Sequence, residues 1–142
     1  MKRYLVALFL FGLSVSGFAQ AQCAAFPCIV ASVALTNQTQ AALQVPLYTP
    51  PTDGLFRISA YEQTTKLGSV SGGFWKFIFG WTDPLKPRTI SGQVSDNGWS
   101  TLWAPITIRD VAGQPIAYSV KPGGGNPGLT SYNLFITVEQ LQ

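Results

Sequence analysis

The sequence has no histidine, and its six carboxylates are the first candidates for acid–base chemistry. A His-based catalytic triad and a histidine metal site are therefore excluded. Glycoside hydrolysis needs two carboxylates that face each other across a cleft, and Asp83 and Asp96 are the pair considered for it. Capping of turns is favoured instead, because most of the six lie at turns or strand ends. We expect no enzyme activity, cofactor or metal site from this set: Asp53, Glu62, Asp83, Asp96, Asp110 and Glu139.

The N-terminal segment 1–21 has the three parts of a cleaved signal peptide. Lys2 and Arg3 make a basic start, an apolar run follows at 4–15, and Ala19-Gln20-Ala21 fits the A-x-A cleavage rule. The apolar run is about a dozen residues long, short of the roughly 20 that span a bilayer. We expect cleavage after Ala21, with Ala19 as the alternative. The mature domain at 22–142 is then secreted, periplasmic or at the surface of a bacterial cell, with no membrane span.

The two cysteines, Cys23 and Cys28, are separated by only four residues. An oxidising compartment favours a bridge between them, and closing so small a loop stabilises a fold by about 2 kcal/mol. A metal or redox pair is the alternative, but two thiolates without histidine rarely complete a zinc site. A lipoprotein attached at Cys23 and an uncleaved membrane anchor are disfavoured. The sequence therefore predicts a local structural disulfide.

Composition predicts one β-rich domain and no nucleic-acid partner. Only 11% of residues are charged, and the chain contains 14 glycines and 10 prolines. The formal charge is +3, but Lys2 and Arg3 belong to the signal segment, and without them seven basic residues face six acidic ones. The basic residues are scattered along the sequence, which argues against a phosphate-binding surface.

Runs of β-forming residues recur between turn residues, and no helix is predicted in the mature chain. In the third run Phe56, Ile58 and Ala60 share one face, with a period of two that indicates one buried side. The run FWKFIFGWT is apolar on nearly both faces, which predicts a central strand, and Pro105 interrupts a later one. We expect an antiparallel β-sandwich or jelly roll of about eight strands, at 29–36, 43–49, 55–64, 74–82, 89–94, 99–108, 116–120 and 129–141.

Two turns are predicted to join neighbouring strands as hairpins. Asp53-Gly54 follows a strand that ends at Pro50-Pro51, and Gly supplies the backbone freedom that a turn needs. Ala112-Gly113-Gln114 is the second hairpin turn.

The segment Leu47–Tyr61 also carries a family pattern. It resembles the P-x-x-G-L-(Y/F)-R-(V/I)-S-x-Y hairpin of small uncharacterised bacterial and phage β-sandwich proteins, and more distantly that of tumour-necrosis-factor-like and phage fibre-head jelly rolls. Trp81-Thr82-Asp83 and a Tyr-rich C-terminal part, with Tyr118, Tyr132 and Glu139, extend the resemblance over about 43–141. The signal segment and the cysteines are not part of the fibre pattern. The resemblance implies a jelly roll, and a trimer by analogy with its trimeric members; it transfers no catalytic residue.

The aromatic residues are the remaining candidates for a functional surface. Core packing is favoured for Trp75 and Trp81. Trp99 and Trp103 flank a turn and a proline, so they are the predicted sugar-stacking residues, since exposed aromatic side chains mark ligand or subunit surfaces.

Four further apolar residues lie on strand faces opposite the predicted core sets Phe56/Ile58, Phe77/Phe79 and Leu134/Ile136. These four are Tyr61, Phe74, Ile78 and Phe135. A two-layer sandwich buries one face of each strand, so the second apolar face needs a cover. We expect these residues to form the interface of a homo-oligomer, most simply a trimer. The predicted function is therefore an exported, non-enzymatic β-sandwich that acts by self-assembly or adhesion at the cell surface. The alternative is a carbohydrate-binding module that uses Trp99 and Trp103 to bind a glycan.

Overall fold

The computed structural model describes residues 23–66, 74–94, 100–102, 104–123 and 130–142. These residues form β-strands and their connections, with no helix among them. Each predicted run contains at least one strand. The strands are β1 Cys28–Gln38, β2 Ala42–Tyr48, β3 Gly54–Lys66, β4 Phe74–Asp83, β5 Lys86–Val94, β6 Ser100–Leu102, β7 Ile106–Asp110, β8 Ile116–Gly123 and β9 Ser131–Gln140.

The strands form two antiparallel sheets. In the first sheet the order is β1-β9-β3, and β6 and β7 both pair with β3. In the second sheet the order is β2-β8-β4-β5, so β4 is central, as its two apolar faces predicted. β6 pairs with the far part of β3 and β7 with its start, and Pro105 lies between them. They are therefore two parts of one edge strand, which gives four strands per sheet, eight in all, and the crossing order of a jelly roll.

The two hairpin predictions are wrong. β2 pairs with β8 in the second sheet, whereas β3 pairs with β9 in the first, so the connection after Tyr48 crosses from one sheet to the other. β7 and β8 also lie in different sheets. Among the described strands, β4 and β5 alone are consecutive and pair directly with each other. Turn residues show that the chain reverses, but they carry no information about which sheet receives the next strand.

The two crossings support each other through hydrogen bonds at one end of the sandwich. The backbone N–H of Gly113 donates to the carbonyl of Pro50 at 2.8 Å. The N–H of Ala112 donates to the Asp53 carboxylate, also at 2.8 Å. Gly113 has a φ of 74°, which suits glycine. A loop of about five residues is long enough to cover the roughly 10 Å between packed sheets.

The core fills the space between the sheets with the alternating residues of both inner faces. The predicted inward sets are confirmed, because they are buried: Phe56, Ile58, Ala60, Phe77, Phe79, Tyr132, Leu134, Ile136 and Val138. Fully burying each large apolar side chain contributes about 1.5–3 kcal/mol. Trp75 is core, as predicted, whereas Trp81 is only partly buried against it.

Aromatic side chains at one end of the core use their polar atoms as well. The rings of Trp75 and Phe77 both lie 5.3 Å from the ring of Tyr132, between centroids. The Trp75 indole donates to the carbonyl of Thr130 at 2.9 Å, and the Tyr132 hydroxyl donates to that of Gln40 at 3.0 Å. Burial raises the pKa of Tyr132 to about 12.

The predicted disulfide joins Cys23 to Cys28, whose Cα atoms are 5.9 Å apart. Cys28 begins β1 and lies opposite Gln140 of β9. The bridge therefore closes the loop that precedes the edge strand of the first sheet. In the described part of the chain, no helix is long and apolar enough to cross a membrane.

Candidate functional site: the two outer faces of the sandwich

Tyr61 and Phe135, two of the four predicted interface residues, meet on the outer face of the first sheet. They are directly opposite each other in β3 and β9, and their rings stack with centroids 6.2 Å apart and planes at 28°. Phe135 is 37% exposed, and Ala34 of β1 lies on its other side. We call this surface, centred on Tyr61 and Phe135, the aromatic face.

The residues around this ring pair are small or uncharged. The row on one side, across β1, β9 and β3, is Ser32, Thr137 and Ser59. On the other side the Asn133 side-chain amide donates to that of Gln63, at 3.5 Å. The aromatic face therefore has no charged side chain around its centre.

The charges nearest the ring pair, Arg57 and Glu139, neutralise each other. The Arg57 guanidinium lies 2.6 Å from the Glu139 carboxylate, the one ion pair within the described residues. The hydrogen bond from Arg57 lowers the pKa of Glu139, and its positive charge acts in the same direction. Arg109, opposite Leu55 at the start of β3, is exposed on the same face and has no ion pair with a described residue, so it lies at the rim of a contact centred on the rings.

Phe74 and Ile78, the other two predicted interface residues, lie on the opposite side of the molecule, on the outer face of the second sheet. Phe74 is opposite Gly123 of β8, and its ring covers the glycine so closely that a Cβ there would clash with it. Ile78 is partly buried. The structure thus divides the four residues between the two outer faces: Tyr61 stacks with Phe135 on one, and Phe74 and Ile78 lie four residues apart along β4 on the other.

A groove crosses the outer face of the second sheet and encloses about 650 Å³. Its floor is a row of small or compact residues that face each other across the four strands: Pro46, Ala117, Gly80 and Thr89. Ile78, Ser119 and Lys121 line one end, and Thr82, Gln114 and Pro115 are at the other. We call this feature, with its Gly80 row as the floor, the polar groove.

The edge strand β2 has an irregular backbone at the rim of the polar groove. Its pairing with β8 shifts register between Ala42 and Val45. Gln44, within this bulge, has a φ of 45°, a conformation that costs energy for a residue other than glycine. Its N–H donates to the Ser119 hydroxyl at 3.0 Å. Bulges of this kind re-aim a side chain next to a site.

Basic residues are divided almost equally between the two sheets, with four in the strands of the second and three in those of the first. The strands of the second sheet carry the single carboxylate Asp83, and those of the first carry three. Two of these three, Glu62 and Asp110, are buried in the core and do not contribute charge to the outer face. The basic residues are therefore spread over both sheets, as the sequence interpretation had them.

Three carboxylates of the described chain accept backbone N–H groups, and two of them, Asp53 and Asp83, cap turns as predicted. The Asp83 side chain accepts the N–H of Leu85 at 3.1 Å, and Asp53 caps Ala112. Asp110 accepts the N–H of Thr82 at 2.9 Å and is completely buried. Burial raises the pKa of Asp110, although backbone hydrogen bonds from Thr82 and Val111 act against that rise. Glu62 is also buried, on the inner face of β3, which the sequence interpretation missed.

The remaining predicted site residues, Trp99, Trp103 and Asp96, lie outside the described residues. The carbohydrate-binding hypothesis based on the two tryptophans therefore stays a prediction. Within the described part of the chain, no group of three or more His, Cys, Asp or Glu side chains is placed to hold a metal ion. The side chains of the two outer faces can bind a partner through packing contacts and hydrogen bonds.

A comparison with models of known protein families finds no match to this sequence, and neither does a comparison with curated proteins. The resemblance to the bacterial, phage and tumour-necrosis-factor-like proteins stays a prediction.

Proposed function

We propose that this protein is an exported, non-enzymatic β-sandwich that acts by self-assembly at the cell surface, joining copies of itself through the aromatic face. One observation supports the proposal above the others. Phe135 is exposed and stacks on the partly buried Tyr61, at the centre of a face whose nearest charges are already paired. Burying such a surface removes aromatic area from water without leaving an unpaired charge behind.

The area of the aromatic face is large enough for a specific protein–protein interface, provided that the whole face takes part. Four strands about 4.8 Å apart and some ten residues long present roughly 600 Å² in projection. A specific interface buries about 800 Å² per partner once the relief of the side chains is included. In a two-fold contact the same face serves both copies, so Phe135 of each copy meets the aromatic pair of the other.

The trimer expected from the sequence stays a prediction. The positions of the four apolar residues favour a two-fold dimer instead. A ring of three needs two different patches on each subunit, set at an angle that closes the ring. Tyr61 and Phe135 lie on the opposite side of the sandwich from Phe74 and Ile78. Contacts between opposite faces would stack copies in a row, so we favour a dimer through the aromatic face alone.

The test is the mass of the secreted protein in solution, measured by size-exclusion chromatography with light scattering. We expect a dimer for the wild type and a monomer for Phe135→Asp, because the new carboxylate would be buried without a partner. Circular dichroism should be the same in both. Leu85→Asp is the matched control: Leu85 is 85% exposed in the β4–β5 turn, away from the aromatic face, and the variant should remain a dimer.

A wild type that is monomeric at high micromolar concentration would overturn the proposal, as would an oligomer that persists in Phe135→Asp. The intact mass of the same sample tests export, since the mature chain should begin at Gln22 or Gln20. A full-length mass would contradict that part.

A further inference from the structure

We propose that the polar groove binds an acidic oligosaccharide, a chain of sugar units that carry carboxylate groups. The inference is independent of self-assembly, because the groove and the aromatic face lie on different sheets. It uses residues other than Trp99 and Trp103.

Gly80 at the floor of the groove has no role in the fold that explains it. Glycine within a strand weakens it, and it marks a bulge, a sharp bend or a close approach by a ligand. The pairing of β4 with β5 and β8 is regular at Gly80. A Cβ there would make only ordinary contacts, at 3.8 Å from the Arg88 carbonyl oxygen and from a Thr89 methyl group. Gly123 differs, since Phe74 occupies the space of its missing side chain. We therefore infer that glycine is present at position 80 because it leaves the floor of the groove open to a ligand.

Charge indicates that the ligand is an anion. Lys76 and Lys121 are directly opposite each other in β4 and β8, and both side chains are exposed. Like charges in that position repel each other and destabilise a sheet. No carboxylate of the described chain forms an ion pair with either lysine. A bound carboxylate between the two ammonium groups would offset the repulsion.

The hydrogen-bonding groups of the groove suit sugar hydroxyls. A hydroxyl both donates and accepts, and the side chains of Gln44 and Gln114 do the same. Ser119 accepts the N–H of Gln44 and keeps its own O–H to donate. Ile78 and Pro46 add apolar contact area, which the C–H faces of a sugar ring can cover.

The length of the site favours several sugar units over one. Lys121 lies opposite Lys76, and Thr82, which also lines the groove, is six residues further along β4. Across one strand spacing and six residues, the Cα atoms of Lys121 and Thr82 are about 20 Å apart. The groove volume is within the ordinary range for ligand sites.

A single-stranded nucleic acid fits these residues less well. Its binding uses aromatic side chains on which successive bases stack, and a cation for most phosphates. Among the described lining residues, Trp81 is the only aromatic one, and it is partly buried against the core. Lys121, with Lys76 opposite it, places positive charge at one end of the groove, which matches a ligand with fewer charges than a nucleic acid.

The experiment is isothermal titration of the mature protein at low salt with tetragalacturonate. Maltotetraose, sulfate and a single-stranded oligonucleotide are the comparison ligands. We expect tetragalacturonate to bind at least ten times more tightly than each of the others, and to weaken as salt is added. Lys121→Glu and Gly80→Val should each reduce its affinity at least tenfold, the first by charge and the second by filling the floor.

Arg109→Glu is the matched control for charge. Arg109 is exposed on β7 of the first sheet, so the same charge change there should leave the affinity within twofold. Phe135→Asp should also bind tetragalacturonate with unchanged affinity. The outcome of the binding test is therefore separate from the outcome of the self-assembly test. Absence of binding at millimolar tetragalacturonate, an equal loss in Arg109→Glu, or tighter binding of the oligonucleotide would overturn the proposal. If Gly80→Val fails to fold, Lys121→Glu and Arg109→Glu still decide it.

Discussion

The two sheets bury similar apolar residues on their inner faces and differ on their outer faces. The aromatic face carries stacked rings and has its nearest charges paired. The polar groove is concave, has glycine at its floor and has Lys121 at one end, opposite Lys76. Inner residues have to satisfy the packing of the core, whereas outer residues have no such task. Our two proposals address this contrast, with a second copy at the aromatic face and an anionic ligand in the polar groove.

The largest expected effect follows from the division into inner and outer faces. Two neighbouring residues of β4 should differ strongly in how much their substitution lowers the free energy of unfolding. Phe77 is fully buried beside Tyr132, whereas Ile78 points outward to the polar groove. Phe77→Ala should cost about 3–5 kcal/mol of unfolding free energy, through lost burial and a cavity. Ile78→Ala should cost about 1 kcal/mol, because its side chain is only partly buried. Urea denaturation measures both, and equal losses would contradict the alternation of β4.

The two glycines of the second sheet provide the next contrast. Gly123→Val should destabilise the protein by about 1–3 kcal/mol, because the new side chain displaces the Phe74 ring. Gly80→Val should change stability by no more than about 0.5 kcal/mol, since the space is open and valine favours strands. Thermal denaturation of both variants checks this. A Gly80→Val protein as unstable as Gly123→Val would show that Gly80 serves the fold and would remove one argument for the groove.

The two sides of the first sheet should respond to pH in opposite directions, with small effects. Burial raises the pKa of Asp110 above its ordinary value of 3.8. Its contribution to stability is greatest below that pH and falls as pH rises through the folded-state pKa. Arg57 lowers the pKa of Glu139 below 4.5. Its contribution is present above 4.5 and is lost as pH falls through the folded-state pKa.

In the wild type, Asp110 makes the protein less stable as pH rises, and Asp110→Asn should abolish that loss. Glu139 makes it less stable as pH falls, and Glu139→Gln should abolish that loss. The amide that replaces the Asp110 carboxylate keeps an oxygen that can accept the Thr82 N–H, so the cap survives the substitution. Denaturation midpoints measured across the acid range give both slopes. The same direction of change in the two variants would mean that one of these carboxylates is placed incorrectly.

The sequence predicted the strands well because their alternation is local information. The inward set at Phe56, Ile58 and Ala60 follows from period two, and the break at Pro105 follows from its missing N–H. Strand pairing could not be predicted, since β9 reaches its neighbours β1 and β3 from distant parts of the chain. The polar groove was missed for the same reason, because its floor takes one residue from each of four strands. Gly80 within a strand run was the one local signal for it.

The position of β9 between β1 and β3 determines when the first sheet can form. Phe135 pairs with Ala34 on one side and with Tyr61 on the other, so β9 joins two strands made long before it. Synthesis proceeds from the N-terminus, and until β9 emerges β1 and β3 have no common partner. β8 has the same role between β2 and β4. Closing such distant contacts is slow. The first sheet therefore cannot be completed until nearly the whole chain has been made, although β4 and β5 can already pair with each other.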